Sequence, residues 1–170
     1  MKRALFALCI AVVCVPLVVV GQNSAASLKD FTWALPGEVS LSLVHLNDST
    51  VPIIFQPPTL YSIRARARTN TVFYVQGTPD KDVKIDTTNF IIEQSGETVA
   101  SLPTNIKHFE KGKASVSKGE RIEGLLTFNK LVNVSQPFTV KHGRDLLQVK
   151  FNNDQIKQAT ATPPADAEPR

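Results

Sequence analysis

The chain has 170 residues, 42% hydrophobic and 20% charged, with a formal net charge of +4 and two cysteines. Those values belong to one ordinary globular domain with appendages and exclude a collagen, a coiled coil or a low-complexity polymer. A disulfide-stapled miniprotein is excluded too, because Cys9 and Cys14 both lie in the first hydrophobic run.

That run follows Met1-Lys2-Arg3 and continues unbroken from Ala4 to Val20, ahead of Gly21, Gln22, Asn23, Ser24, Ala25 and Ala26. A basic end, an apolar stretch and a small-residue exit are the three parts of a secretory signal peptide. Residues 1–26 are read as that signal, with cleavage after Gly21, Ala25 or Ala26. The alternative is an uncleaved anchor, the one route by which this chain would hold a membrane. The run, about 17 residues long and interrupted by Pro16, only reaches the lower limit for a bilayer span. Lipidation is rejected because Leu8 and Val13, not small residues, precede the two cysteines.

Export to the periplasm or the cell exterior follows. The exported chain has no cysteine, so burial of a core must hold it together without disulfides. Seventeen Lys and Arg then face fifteen Asp and Glu, too small an excess to argue for nucleic acid as a partner. At the far end, residues 159–170 (ATATPPADAEPR) contain three prolines and no large apolar side chain, which predicts a disordered tail. One domain is expected over 27–158.

Within it the dominant period is two. Phe31, Trp33 and Leu35 alternate with Thr32 and Ala34, and Val39, Leu41 and Leu43 with Ser40 and Ser42. Tyr61, Ile63, Ala65 and Ala67 alternate with Ser62, Arg64, Arg66 and Arg68. Ile122–Phe128 and Leu147–Phe151 follow the same rule. Such alternation buries one face of a strand and wets the other. Val72–Val75 and Phe90–Ile92 are continuous apolar runs, as in strands covered on both sides or at a sheet centre. Pro36-Gly37, Asn47-Asp48-Ser49, Pro57-Pro58, Thr78-Pro79-Asp80, Ser95-Gly96, Lys118-Gly119 and His142-Gly143 supply turn chemistry between them. The prediction is an all-β, antiparallel, immunoglobulin-like β-sandwich of about seven to nine strands, with a barrel as its competitor.

The stretch from Ser117 to Phe128, a Gly-Glu turn followed by a Gly-x-Leu-x-Phe strand, resembles the later strands of exported bacterial immunoglobulin-like (telokin-like) domains. That resemblance implies an accessory domain of the cell envelope and carries no catalytic residue with it.

The chemistry-bearing residues are sparse. His45, His108 and His142 each stand alone, and the exported chain has no methionine or cysteine, so no cofactor is expected. Asp80, Asp82 and Asp86 fail the EF-hand pattern, because Lys84 takes its fifth position and Ile91 its twelfth. There is no Gly-x-Ser-x-Gly elbow, and nothing in spacing marks a catalytic pair among Glu93, Glu97, Glu120 and Glu123, so the chain is read as non-catalytic. Trp33 is read as a core residue. Asn47-Asp48-Ser49 and Asn133-Val134-Ser135 fit the glycosylation sequon.

The most unusual local feature is Arg64-Ala65-Arg66-Ala67-Arg68, which holds half of the arginines of the exported chain. On a strand these three guanidiniums would form a row on one face. Such a row would either bind an anionic glycan, lipid head group or other anionic polymer, or pair with cross-strand carboxylates such as Glu93 and Glu123. Nucleic acid is not expected, because alanines and not aromatics are interleaved. The functional expectation is a binding or accessory module that meets another envelope or extracellular protein, with the arginine row as the alternative site.

Overall fold

The computed structural model describes residues 28–37, 39–103 and 112–161. Residues 1–26, read above as a signal and holding both cysteines, His108 and the chain beyond Ala161 lie outside the described residues.

Ten strands, three α-helices and a 3₁₀ turn (Thr87–Asn89) follow one another among the described residues from Thr32 to Thr160. Strands β1 (Thr32–Leu35) and β2 (Leu41–His45) come first, then helices α1 (Val51–Ile54) and α2 (Thr59–Ala67). Strands β3 (Val72–Gly77), β4 (Val83–Asp86), β5 (Phe90–Gln94), β6 (Glu97–Ala100) and β7 (Lys113–Val116) lead to β8 (Ile122–Thr127). Strands β9 (Phe138–His142) and β10 (Asp145–Val149) precede helix α3 (Asn153–Thr160). The protein is thus mostly β and antiparallel, as expected, but the strands exceed nine and the helices were not foreseen.

Pairing yields a four-stranded sheet in the order β1-β2-β3-β8, another in the order β10-β9-β5-β6, and a β4–β7 ribbon. They do not close into a barrel. A single antiparallel bridge, Ser101 to Phe128, ties the end of β6 to the end of β8. No helix among the described residues is long and apolar enough to cross a membrane.

One hydrophobic core lies under both sheets and the ribbon. Leu41, Leu43, Phe73, Val75 and Leu126 enter it from the first sheet, Phe90, Ile92, Phe138 and Val140 from the second, and Val83, Ile85 and Val116 from the ribbon. Phe73 sits at its middle with no exposure, 6.1 Å from the ring of Phe128 and 6.5 Å from that of Phe138. Phe151, just past β10, closes the far side against Phe31 at 5.9 Å and Trp33 at 5.0 Å. Trp33 therefore packs on the core, partly buried.

The outer face of the first sheet is covered as well. Val44, Tyr74 and Leu125 are cross-strand neighbours there and, with Leu46 and Val72, pack under α1 and α2. The helices contribute Val51, Ile54, Leu60, Ile63 and Ala67 to this second cluster. Two apolar layers explain why β3 reads as a continuous run, Val72-Phe73-Tyr74-Val75: alternate residues serve different cores.

The strand expected over Tyr61–Ala67 is therefore corrected to a helix. Leu60, Ile63 and Ala67 recur at the i, i+3, i+7 spacing of one helical face and drop onto the sheet. Pro57-Pro58 ends the preceding loop, with Pro58 as the residue capping the amino end of α2. The apparent alternation arose from Ala65 and Ala67, residues whose propensity favours a helix most of all. At the other end of the chain α3 is set by a capping box: Asn152 Oδ1 accepts from the amides of Asp154 and Gln155, and Gln155 Oε1 accepts from the Asn152 amide at 2.6 Å. That helix carries the ordered domain to Thr160, into the segment read as a tail.

Candidate functional site

The helix breaks up the arginine row. Arg64 and Arg68, four residues apart, share one face of α2, whereas Arg66 lies about 200° round the helix from Arg64 and is exposed. Arg64 Nε stands 3.2 Å from Asp48 Oδ1, and Arg68 Nη2 stands 3.7 Å from the same oxygen. The expected partners are engaged elsewhere. Glu93 pairs with Lys141 at 2.5 Å, and Glu123 pairs with Arg121 at 3.4 Å while accepting from the Tyr74 hydroxyl. The carboxylate that meets the arginines comes instead from the Asn47–Thr50 turn, which sequence reasoning took only as punctuation.

That turn is rigid. Asn47 Oδ1 accepts from the Ser49 amide at 2.9 Å, the Thr50 amide at 3.0 Å and the Ser49 hydroxyl at 2.6 Å. Thr50 Oγ1 in turn accepts from the Asn47 amide and donates to the His45 carbonyl, both at 2.9 Å. Asn47 is buried, so of the two sequons only Asn133 presents an exposed asparagine. Asp48 is aimed at α2 by this turn. Together with Arg64, Arg68, the loop 131–134 and the end of α3, it borders a pocket of about 390 Å³.

A larger cleft of about 810 Å³ lies where β1, β2, the β4–β7 ribbon and the β9–β10 turn converge. Its floor is apolar: Leu35, Val39, Leu41, Val83 and Ile85. Its rim is charged. Lys84, Asp86 and Lys113 come from the ribbon, and His142, Arg144 and Asp145 from the hairpin. Alternation along β4 places Val83 and Ile85 in the core and turns Lys84 outward.

The rim residues differ in how firmly they are held. Asp86 accepts from the Thr88 hydroxyl at 2.5 Å and its amide at 2.9 Å, and pairs with Lys113 at 3.5 Å. The Thr88 hydroxyl bond above all holds the Asp86 carboxyl below the usual carboxylate range. His142 stacks on Phe90, its cross-strand partner, at 4.2 Å and 21° between ring planes. Burial depresses its pKa, opposed by the Asp145 and Asp86 carboxylates. Asp145 closes the wall against Gly37: a Cβ on that glycine would come within 2.0 Å of Asp145 Oδ2. Lys84 and Arg144 are exposed and make no ion pair among the described residues.

Of the other residues marked in the sequence, Asp82 accepts from the Lys118 amide at 2.8 Å and steadies the β7–β8 turn. No group of three or more His, Cys, Asp or Glu among the described residues is placed to hold a metal ion. The cleft escaped sequence reasoning because its walls come from four separate stretches of chain. Its one local signal was the alternation of Val83, Ile85 and Val116 with charged and polar neighbours. Compared with protein-family models, curated proteins and solved structures, the chain matches none of them.

Proposed function

We propose that the protein is an exported, non-catalytic binding module of the cell envelope or exterior that recognises a segment of another protein in the 810 Å³ cleft. Within this reading the two sheets are a variant immunoglobulin-like sandwich, with α1 and α2 added over one face. The amino-terminal run, basic and then apolar, supports export.

The single observation that carries the binding role is the union of an apolar floor with two cations that have no ion-pair partner among the described residues. Ligand sites combine apolar walls with a few placed polar groups. Val39, Val83 and Ile85 would take apolar side chains, while Lys84 and Arg144 would meet a carboxylate beside them. The complementary partner is therefore an acidic segment with apolar residues. An anionic glycan or lipid head group on Arg64, Arg66 and Arg68 is the weaker reading, because the helix separates the three and Asp48 stands between two of them.

A photo-crosslinking side chain placed at position 144 and, separately, at Thr98 on exposed β6 tests the proposal in the native envelope fraction. A protein adduct is expected at 144 and not at 98, and Lys84→Glu with Arg144→Glu should abolish partner capture with an unchanged melting temperature. Adducts at 98 alone, or full capture by the charge-reversed protein, would overturn the reading.

A further inference from the structure

Strand β4 lines the larger cleft with all of its residues, Val83 to Asp86, although their side chains alternate between core and solvent. Only a strand seen edge-on presents both kinds to one space. Its other edge is taken by β7, and the ribbon has no third strand. The register tells which backbone groups the open edge carries. The Thr87 amide donates to the Gly112 carbonyl at 2.7 Å, so these two residues, next in register after Asp86 and Lys113, form a hydrogen-bonded pair. Bonded pairs alternate along an antiparallel ladder. Ile85 and Val83 therefore bond to β7, while the N–H and C=O of Lys84 and Asp86 point away from it.

The Asp86 carbonyl agrees with that parity, since it accepts from the His142 ring on the hairpin side of the cleft. Lys84 is exposed, and its outward N–H and C=O have no partner among the described residues. Unpaired edge groups of this kind are a template for another strand.

We infer that the partner segment binds as an added strand along the open edge of β4, exchanging backbone hydrogen bonds with Lys84, and so alternates acidic with apolar residues. This rests on the cleft reading above and supplies the partner's conformation. Strand addition draws affinity from main-chain bonds and specificity from alternate side chains. Every second side chain of the added strand would lie over Leu35, Val39 and Leu41, and the others beside Lys84 and Arg144. Asp86 is paired with Lys113, so Lys84 and Arg144 set the sign there and call for carboxylates. A lysine in the middle of an open edge also works against self-pairing, which favours a partner over a second copy of this chain.

The probe is a capped hexapeptide of alternating valine and glutamate, set against one of the same composition with its valines first. Amide hydrogen exchange of the full chain, followed in ¹⁵N-correlated NMR spectra, is the measurement. In the free protein the Lys84 amide should exchange at least about tenfold faster than that of Ile85, which is bonded to β7. The alternating peptide should slow Lys84 at least about tenfold and leave Ile85 unchanged, and the block peptide should protect neither. Lys84→Pro deletes the outward N–H at an edge position where proline is tolerated, whereas Lys84→Ala keeps it. The proline variant should bind the alternating peptide roughly fivefold or more weakly than the alanine variant, at equal melting temperature. The inference is overturned if Lys84 is already protected in the free chain, if neither peptide protects it, if both do so alike, or if the two variants bind equally. Any of these results beside an adduct at position 144 would remove the added strand and spare the partner cleft. A protected Lys84 with no adduct at 144 would remove the proposed partner and spare the strand site.

Discussion

The two four-stranded sheets differ in what covers them. The first is buried on both faces, by the common core below and by α1 and α2 above. The second keeps one face in solvent, where Glu93, Lys141, Leu146 and Gln148 stand at least partly exposed. Their sequences record the difference: β3 opens on the unbroken run Val72–Val75, while β9 and β10 alternate. A strand without a wet face needs a second layer, and the chain supplies that layer from the segment just before β3.

The contrast can be probed by substitution, beginning beneath both sheets. Phe73→Ala should cost about 3–5 kcal/mol, the usual loss for a buried phenylalanine, and should lower the urea midpoint of the whole domain as one transition. If only part of the signal moved, the sheets would not share one cooperative core. Ile63→Ala, under the helical cover, should cost about 2–5 kcal/mol. Hydrogen exchange there should quicken first in α2 and β3 and leave β9 protected. Equal loss of protection in both sheets would mean that the cover is not a separable layer.

The two described histidines extend the comparison to pH. His45 lies fully within the first sheet's core, its ring 5.5 Å from Phe73 and 5.2 Å from Phe151, and burial lowers its pKa from 6.5 to about 4. The folded protein therefore binds fewer protons than the unfolded chain between those values. Stability should fall as the pH drops from about 6.5 to about 4, by a contribution on the order of 3 kcal/mol, and level off below. His142 acts with the same sign but is only half-buried, beside two carboxylates. His45→Phe should therefore flatten the pH dependence of the urea midpoint more than His142→Gln does; the reverse order would place the buried imidazole wrongly.

The smallest expected effects separate the arginines. Arg64→Met leaves the partly buried Asp48 carboxylate with only the more distant Arg68 and should cost about 1–3 kcal/mol. Arg66→Met, on the exposed side of the same helix, should stay within about 0.5 kcal/mol. Similar melting temperatures for the two variants would contradict the ion pair.

Much of the strand framework was legible because alternation of period two survives tertiary packing: β1, β2, β8 and β10 fall on the stretches expected, and β3 and β5 on the continuous runs. The helices were not legible in the same way. In Arg64–Arg68 arginine and alanine alternate, a pattern that suits a strand by period and a helix by propensity. Leu60 and Ile63, which decide the matter, lie at its amino-terminal edge. No strand was expected at β4, because Asp80, Asp82 and Asp86 drew attention from Val83 and Ile85 between them. For the sites, local reading identified Arg64 and Arg68 as noteworthy. It could not supply Asp48, since that contact depends on how α2 docks.

Phe151 touches the rings of Phe31, Trp33 and His45, so the first aromatic residues of the domain are roofed by the last. A polypeptide delivered amino end first must keep that greasy group waiting while everything from β2 to β10 emerges. Completion of the interior is thus a late event in the life of each molecule. Until then, the stretch around Phe31 and Trp33 is the part most in need of a chaperone's grip.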